Sequence, residues 1–584
     1  MVKWVQQRLQ QLRQALDAPW LPYCLALLPL LLIAHSFNDG WYGDDFVQRT
    51  WLMDSAETNA RAAWLLPDNS PPSNRFHYAM FELFNFADGG EQVQHWVERG
   101  VMPWWTHPEL RVRFFRPLSG ITHWLDYTLW PGSPFIMHLH NALWLFVMVS
   151  IAIFTFRLFL PSKVALLAGV FFALNDCLAG AAWIAGRNAL LSAVFVFATL
   201  YCHHRWRTGE KRFCIAALLS FLAALLSSES GVCALAFLIA YTVFIDPRSG
   251  KKRCLSLLPY MVITIVWKIL YELFGYGVQH SGLYVSPLNV GEFLLAVFQT
   301  YPALLQSLVI PDAFHYSLSI GLSIGALLFV LLLPVIQTNP VARFLLFATL
   351  LSLVPLCAHT WSTNIERLFY IPAFGVCGLF AIVVIYWHER LSHLINPSTT
   401  KLAMSIVVTF ALALSAYSMF QKADKPKNEQ ADLLRAVSEY QFSQLNENHS
   451  IFLMGTPNST WHFYYAFLHK PTVDEKTIAR VYTLLPDLNV SFLNTDENEM
   501  IVNLKNNWTL SDYDSVWRSK KTFQFTNGQR INAGAFDVIV LESDEQLRPQ
   551  RLKFVFDGSL ASTRYDWRQW RLGRWNTMPI VVVE

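Results

Sequence analysis

The chain has 584 residues, of which 53% are hydrophobic and only 15% charged, and its mean hydropathy is +0.30. That balance excludes an ordinary soluble enzyme and reads as a polytopic membrane protein. The formal charge of +3, without a basic block, leaves no nucleic-acid footprint, so Lys and Arg serve as topology signals.

The first apolar run, 20–37, follows a segment bearing Lys3, Arg8 and Arg13 and lacks a small-residue cleavage site, so we read it as a retained helix rather than a cleaved signal peptide. A membrane helix needs about 20 mostly apolar residues. Eleven runs come close: 20–37, 134–158, 163–177, 187–204, 211–227, 230–246, 254–275, 316–336, 341–359, 366–388 and 401–420. Alternation from a cytoplasmic N-terminus (1–19) puts Arg157 and Lys163, "HHRWRTGEKR" (203–212), "DPRSGKKR" (246–253), Arg343 and "HERLSHLINPSTTK" (388–401) on the cytoplasmic face. The opposite turns "SSESG" (227–231) and "HTWSTNIE" (359–366) contain no Lys or Arg, as the positive-inside bias requires. The expected fold is therefore a polytopic α-helical membrane domain, 20–420, with about 11 transmembrane helices. Loops 38–133 and 275–315 and a soluble α/β domain, 421–584, then lie on the exported side.

Within the first loop, "RVRFFRPLSGITHWLDYTLW" (111–130) mixes charges and bulky apolar residues at helix-like spacing and should lie along the membrane surface, as should 288–308. In the tail, 426–447 reads as an amphipathic helix, and 450–455, 536–542, 552–557 and 579–584 read as strands. Sequons at Asn448, Asn458, Asn489 and Asn507 suit an exported face. The eight Cys lie in or beside apolar runs and show neither a disulfide framework nor zinc spacing.

The acidic pair Asp44 and Asp45 follows the first helix in "DGWYGDD" (39–45). Neighbouring side chains point about 100° apart on a helix and to opposite faces of a strand, so the two carboxylates cannot aim at one atom. One can act as a general base while the other binds a metal or is held by hydrogen bonds. The same pair can equally end a helix at the water interface, and spacing alone leaves both readings open. Lys268 and Glu272, spaced i,i+4, should neutralise each other. His138 and His140 either line a cavity or sit as hydrogen-bonded interfacial residues.

The acidic pair at the end of the first helix, the Arg116-Pro117-Leu118 segment, "HLHN" (138–141), "AWIAGRNALLSAVF" (182–195), "SSESG" and "ERLFYIPAFG" (366–375) occur in order on one expected face. Together they resemble the GT-C superfamily of membrane glycosyltransferases. Within it the resemblance is to the protein O-mannosyltransferase type and its transmembrane, tetratricopeptide-bearing relatives. It covers about residues 20–390. This chain departs from that group in lacking the tetratricopeptide tail and in carrying "SSES" where Lys-Glu is expected.

The resemblance implies an inverting transfer from a polyprenyl-phosphate-linked sugar to a protein, lipid or polysaccharide acceptor at the exported face of a bacterial inner membrane, or of its endoplasmic-reticulum equivalent. It implies Asp44 as the base and Asp45 as the supporting acid, an order that can be reversed. Arg116 and Arg367 then face the phosphate, since a planar guanidinium pairs two phosphate oxygens and stays charged. Arg187 and Glu229, at exported helix ends, are expected to pair with each other and fix the scaffold or to line the substrate site with His138. The second loop, with His280, Tyr284 and His315, is expected to cover the cavity. A divalent metal stays open, with Asp45 as its candidate ligand. The rival readings are a lipid-linked glycan flippase and a non-catalytic membrane protein with a binding tail.

Overall fold

The computed structural model describes residues 17–248, 250–286, 289–310, 318–359, 365–424, 428, 450–456, 463, 464, 466, 467, 480–486, 490–504, 508–571 and 574–578. Each of the eleven apolar runs coincides with a helix, from Leu21–Ile33 and Pro134–Phe159 through Tyr370–Ser392 and Pro397–Ala423. Among the described residues six helices are long and apolar enough to cross a membrane: Leu21–Asn38, Pro134–Phe159, Lys251–Leu273, Val290–Val309, Glu366–Ser392 and Pro397–Ala423. A seventh results if the bent pair Ser162–Ala173 and Asp176–Ala182 is one span.

Other apolar helices do not meet that criterion of length and apolarity, for physical reasons. Phe213–Ser227 has 15 residues, and at about 1.5 Å per residue that falls short of a hydrocarbon core of about 30 Å. Arg187–Arg207 has 21 residues but begins and ends on arginines. The 288–308 segment, expected on the membrane surface, contains a helix that meets the length and apolarity of a span. Several spans present apolar stripes outward, such as Leu258, Val262, Ile265 and Ile269, all exposed along one helix face. Such a stripe suits lipid rather than water.

The 111–130 segment is two elements, because proline at a first helical position sets φ for a helix while pushing its predecessor out of helical geometry. Strand β2 (Arg111–Arg113) precedes the break, and the helix Pro117–Leu129 starts at the proline. Strand β2 pairs antiparallel with β1 (Asn85–Asp88) and with β3 (Gly277–Gln279), so the first and second loops share a sheet. The 117–129 helix crosses the helix Arg75–Phe81 at Gly120, where a Cβ would lie 1.8 Å from the Ala79 carbonyl oxygen. Only glycine permits that approach.

The tail holds β4 (Ser450–Thr456), β5 (Arg480–Pro486), β6 (Val490–Asp496), β7 (Glu499–Leu504), β8 (Arg530–Asn532), β9 (Phe536–Ser543), β10 (Pro549–Phe556), β11 (Tyr565–Arg571) and β12 (Arg574–Thr577). They form one sheet ordered β6-β7-β10-β9-β8 and another ordered β12-β11-β4-β5, in which β4 runs parallel to both neighbours. The strands expected at 450–455, 536–542 and 552–557 are present, while the 579–584 strand and, apart from Asn428, the 426–447 helix lie outside the described residues.

The described residues form two hydrophobic cores. One packs the membrane helices around Phe156, Phe172, Phe197 and Phe374. The other is built jointly from the first loop and the tail, with Trp51, Trp96, Trp104 and Trp105 against Phe463, Phe467, Trp508 and Phe554. Trp104 Nε1 also donates to the Leu484 carbonyl at 2.8 Å, satisfying its one polar atom inside that core.

Candidate active site

Gly43, at φ +54°, turns the chain into the helix Asp44–Leu52, so both acids occupy its first turn, where the helix dipole favours negative charge. Their environments differ as the spacing argument requires. Asp45 is 1% exposed, and its Oδ2 and Oδ1 accept the backbone N–H groups of Tyr42 at 2.9 Å and Ala185 at 2.7 Å. Tyr127 donates its hydroxyl to the Asp45 carbonyl at 3.1 Å. Asp45 thus pins the 40–43 turn to the segment leading into the 187–207 helix. Burial pushes its carboxyl up to about 8, partly opposed by the two backbone hydrogen bonds and reinforced by the charge of Asp44.

Asp44 is half-buried, and its Oδ1 accepts the Tyr464 hydroxyl at 2.8 Å. Burial raises its carboxyl above the ordinary value, while the Tyr464 hydrogen bond and the charges of Arg367 and Arg116 pull it back down. The structure therefore brings Asp44, Arg116 and Arg367 into one electrostatic neighbourhood. Tyr284 belongs to it too: burial raises its phenol, and Arg367, Arg116, Asp44 and Glu229 all act on it. Its ring packs against Phe114 at 5.5 Å and His359 at 4.3 Å.

The two arginines are held differently. Arg116 pairs with Glu229 through Nη2 at 2.6 Å and Nε at 2.8 Å, and its guanidinium lies 4.2 Å from the Phe114 ring centroid. Tyr271 donates to the other Glu229 oxygen at 3.2 Å. Arg367 lies 4.7 Å over the Trp183 ring and makes no ion pair among the described residues. Trp183 is itself fixed by donating Nε1 to the Tyr42 carbonyl at 3.1 Å. Glu366, beside Arg367 in sequence, lies 3.7 Å from Lys422 Nζ.

The expected Arg187–Glu229 pair is corrected. Arg187 is fully buried against Asp126, with Nη2 2.5 Å from Oδ2, and its Nε donates to Asn141 Oδ1 at 2.5 Å. The 187–207 helix starts beneath the helices 117–129 and 134–159, while Glu229 lies by the start of the first of these, next to Arg116. His138 Nε2 lies 3.0 Å from the Gly40 carbonyl, and His140 Nδ1 lies 2.6 Å from Asp126 Oδ1. Both histidines are thereby structural partners of the turn and of the ion pair. Lys268 and Glu272 do pair along their helix. His280 stacks on His107 with ring centroids 3.8 Å apart, where it joins the second loop to the first. His315 lies outside the described residues. Among the described residues no group of three His, Cys, Asp or Glu side chains is gathered to hold a metal ion.

Four contributors escape sequence reasoning: Tyr464, Trp183, Tyr271 and Asp126. Trp183 stands inside a quoted motif but reads as interfacial. Asp126 stands in the last turn of the amphipathic helix Pro117–Leu129, where an acid normally faces water. Tyr464 sits in "WHFYYAF" (461–467), whose aromatic density signals packing but no partner.

No protein-family model matches this chain, and no curated protein matches it. Among solved structures it is similar to ArnT from Cupriavidus metallidurans bound to undecaprenyl phosphate, at 12% identity and a TM-score of 0.37, covering 76% of this chain and 84% of that one. It is also similar to the archaeal oligosaccharyltransferase AglB from Archaeoglobus fulgidus in complex with an inhibitory peptide and a dolichol-phosphate. There the identity is 12% and the TM-score 0.38, covering 77% of this chain and 63% of that one.

Proposed function

We propose that this chain is a membrane glycosyltransferase that moves a sugar from a polyprenyl-phosphate donor to an acceptor hydroxyl at the exported membrane face. The observation that supports it best is the neighbourhood of Asp44: a half-buried carboxylate held by Tyr464, within the fields of Arg367 and Arg116. A transfer of this kind needs a base beside the acceptor, cationic compensation of a departing phosphate, and apolar surface for the lipid.

In the proposed step the acceptor oxygen attacks the anomeric carbon as its proton passes to Asp44. The bond from that carbon to the phosphate oxygen breaks, and polyprenyl phosphate leaves with the electron pair. A single displacement inverts the anomeric configuration. Arg367 is the cation with capacity to spare, because Arg116 is already engaged by Glu229. Tyr284, on the second loop, closes the same neighbourhood. The reading keeps the domain organisation inferred from sequence, with 1–19 cytoplasmic and 421–584 exported.

The test is Asp44→Asn, which keeps size and hydrogen-bond geometry but removes the base. A base contributes about 10²–10⁴-fold, so release of polyprenyl phosphate from a polyprenyl-phosphate sugar in detergent should fall by that factor while the protein stays folded. Wild-type release by the variant would reject Asp44 as the base. A flippase would move the lipid-linked sugar without cleaving it, so the absence of any release from the wild type, with transport in vesicles, would favour that function instead.

A further inference from the structure

Resting on the reading of Asp44 as the base, we propose that Tyr464 is a positioning residue of the active site. Its hydroxyl holds Asp44 Oδ1, which leaves Oδ2 as the atom that takes the acceptor's proton. The C-terminal region thereby completes the catalytic site rather than hanging beside it.

Three observations carry this. The Tyr464 hydroxyl donates to Asp44 Oδ1 at 2.8 Å across 420 positions of sequence, while Asp44 Oδ2 accepts no hydrogen bond among the described residues. A carboxylate with one oxygen held cannot rotate freely, so the second oxygen keeps one direction. The phenol is also held in place by its own neighbours. Phe463 is 6% exposed and Phe467 fully buried, with Phe463 packed 5.9 Å from the Trp96 ring and Phe467 6.2 Å from the Trp51 ring. Trp51 lies on the same helix as Asp44, so the donor and the acceptor of this hydrogen bond ride on elements locked together by a buried aromatic contact. Finally, burial and the adjacent Asp44 charge hold the Tyr464 phenol well above its ordinary value, so it stays protonated and can only donate to the carboxylate. Its own proton does not move during transfer.

The experiment uses the full chain in detergent, with Tyr464→Phe removing one oxygen and leaving the packing intact. Infrared difference spectra across a pH titration, with the Asp44→Asn spectrum subtracted, isolate the Asp44 carboxyl band without any substrate. A hydrogen bond to the charged form favours it, so its loss should move the Asp44 midpoint up by about one pH unit. With a polyprenyl-phosphate mannose donor, the acid limb of kcat should move by the same amount while the donor KM stays constant. The double variant Asp44→Asn/Tyr464→Phe should match Asp44→Asn alone, because Tyr464 acts only through Asp44. An unmoved midpoint in a Tyr464→Phe protein of unchanged unfolding temperature would overturn the proposal. If Asp44→Asn retains turnover while the midpoint still moves, the base reading fails and the Tyr464 contact stands.

Discussion

Replacing Arg187 with Met tests whether the buried ion pair beneath the acidic turn is the scaffold of the site. Arg187 and Asp126 are both fully buried, 2.5 Å apart. The guanidinium also serves Asn141 Oδ1 at 2.5 Å and the carbonyls of Thr122 and Met137 at 3.2 and 3.3 Å. Met fills a similar length but removes the charge and every donor. Asp126 is then left with His140 as its partner, at 2.6 Å, in a site without water access. Removing one partner of a buried pair costs about 3–5 kcal/mol, because the remaining charge is uncompensated. Removing both charges, in Arg187→Met/Asp126→Leu, should recover a good part of that loss. It does not recover all of it, since the Asn141 oxygen and the two carbonyls still lose their donor. Equilibrium unfolding in mixed micelles, followed by Trp fluorescence, measures the three free energies and their coupling. Because Arg187 follows the Ala185 N–H that holds Asp45 by two residues, the single variant should also lose transferase turnover out of proportion to its folded fraction. A single variant within about 0.5 kcal/mol of wild type, or a double variant equal to the sum of the singles, would refute the reasoning.

Two further predictions concern the charges above that scaffold. Arg367→Gln should lower kcat/KM for the lipid-phosphate donor by about 10–100-fold, the worth of hydrogen bonds to a charged group, with an unchanged unfolding temperature because Arg367 has no ion pair to lose among the described residues. Arg116→Gln should instead lower both turnover and unfolding temperature, since among the described residues it leaves Glu229 with only Tyr271; equal stability of the two variants would show that the arginines are not differently engaged. The buried Asp45 predicts a pH effect on stability. Its folded value, about 8, exceeds the unfolded one, so its contribution is full below about pH 4 and is lost as pH rises through 8. Asp45→Asn should flatten that fall, and a wild-type slope in the variant would mean that Asp45 does not carry it.

The apolar runs were legible because a helix in lipid must satisfy its backbone internally and present side chains that need no water, and twenty such residues in a row have few other uses. At Phe213–Ser227 the apolar run is a helix, but one of only 15 residues. Composition reports what surrounds a helix better than how far it reaches. That the two acids meet different surroundings was legible from geometry, since residues 44 and 45 diverge on any regular backbone. The mispairing of Arg187 has an equally plain origin. Helix ends on one face of a membrane are many, and their lateral order follows from packing angles set by residues such as Gly120, whose fit against Ala79 exists only once both helices are in place.

The identity of the residue that holds Asp44 lay furthest out of reach, and the reason bears on how such a site works. Local rules connect neighbours a few positions apart, yet the hydrogen bond on Asp44 spans 420 positions and depends on two aromatic-rich segments condensing into one core. Trp51, on the acidic helix, and Phe467, beside Tyr464, meet in that core, so the position of the phenol is fixed by bulk hydrophobic burial and only then used by a polar contact. Burial of apolar area is non-directional, whereas a hydrogen bond at 2.8 Å is not. A change that loosens the aromatic contact, far from any charged group, should therefore disturb the Asp44 carboxylate before it unfolds the membrane helices, whose core is separate.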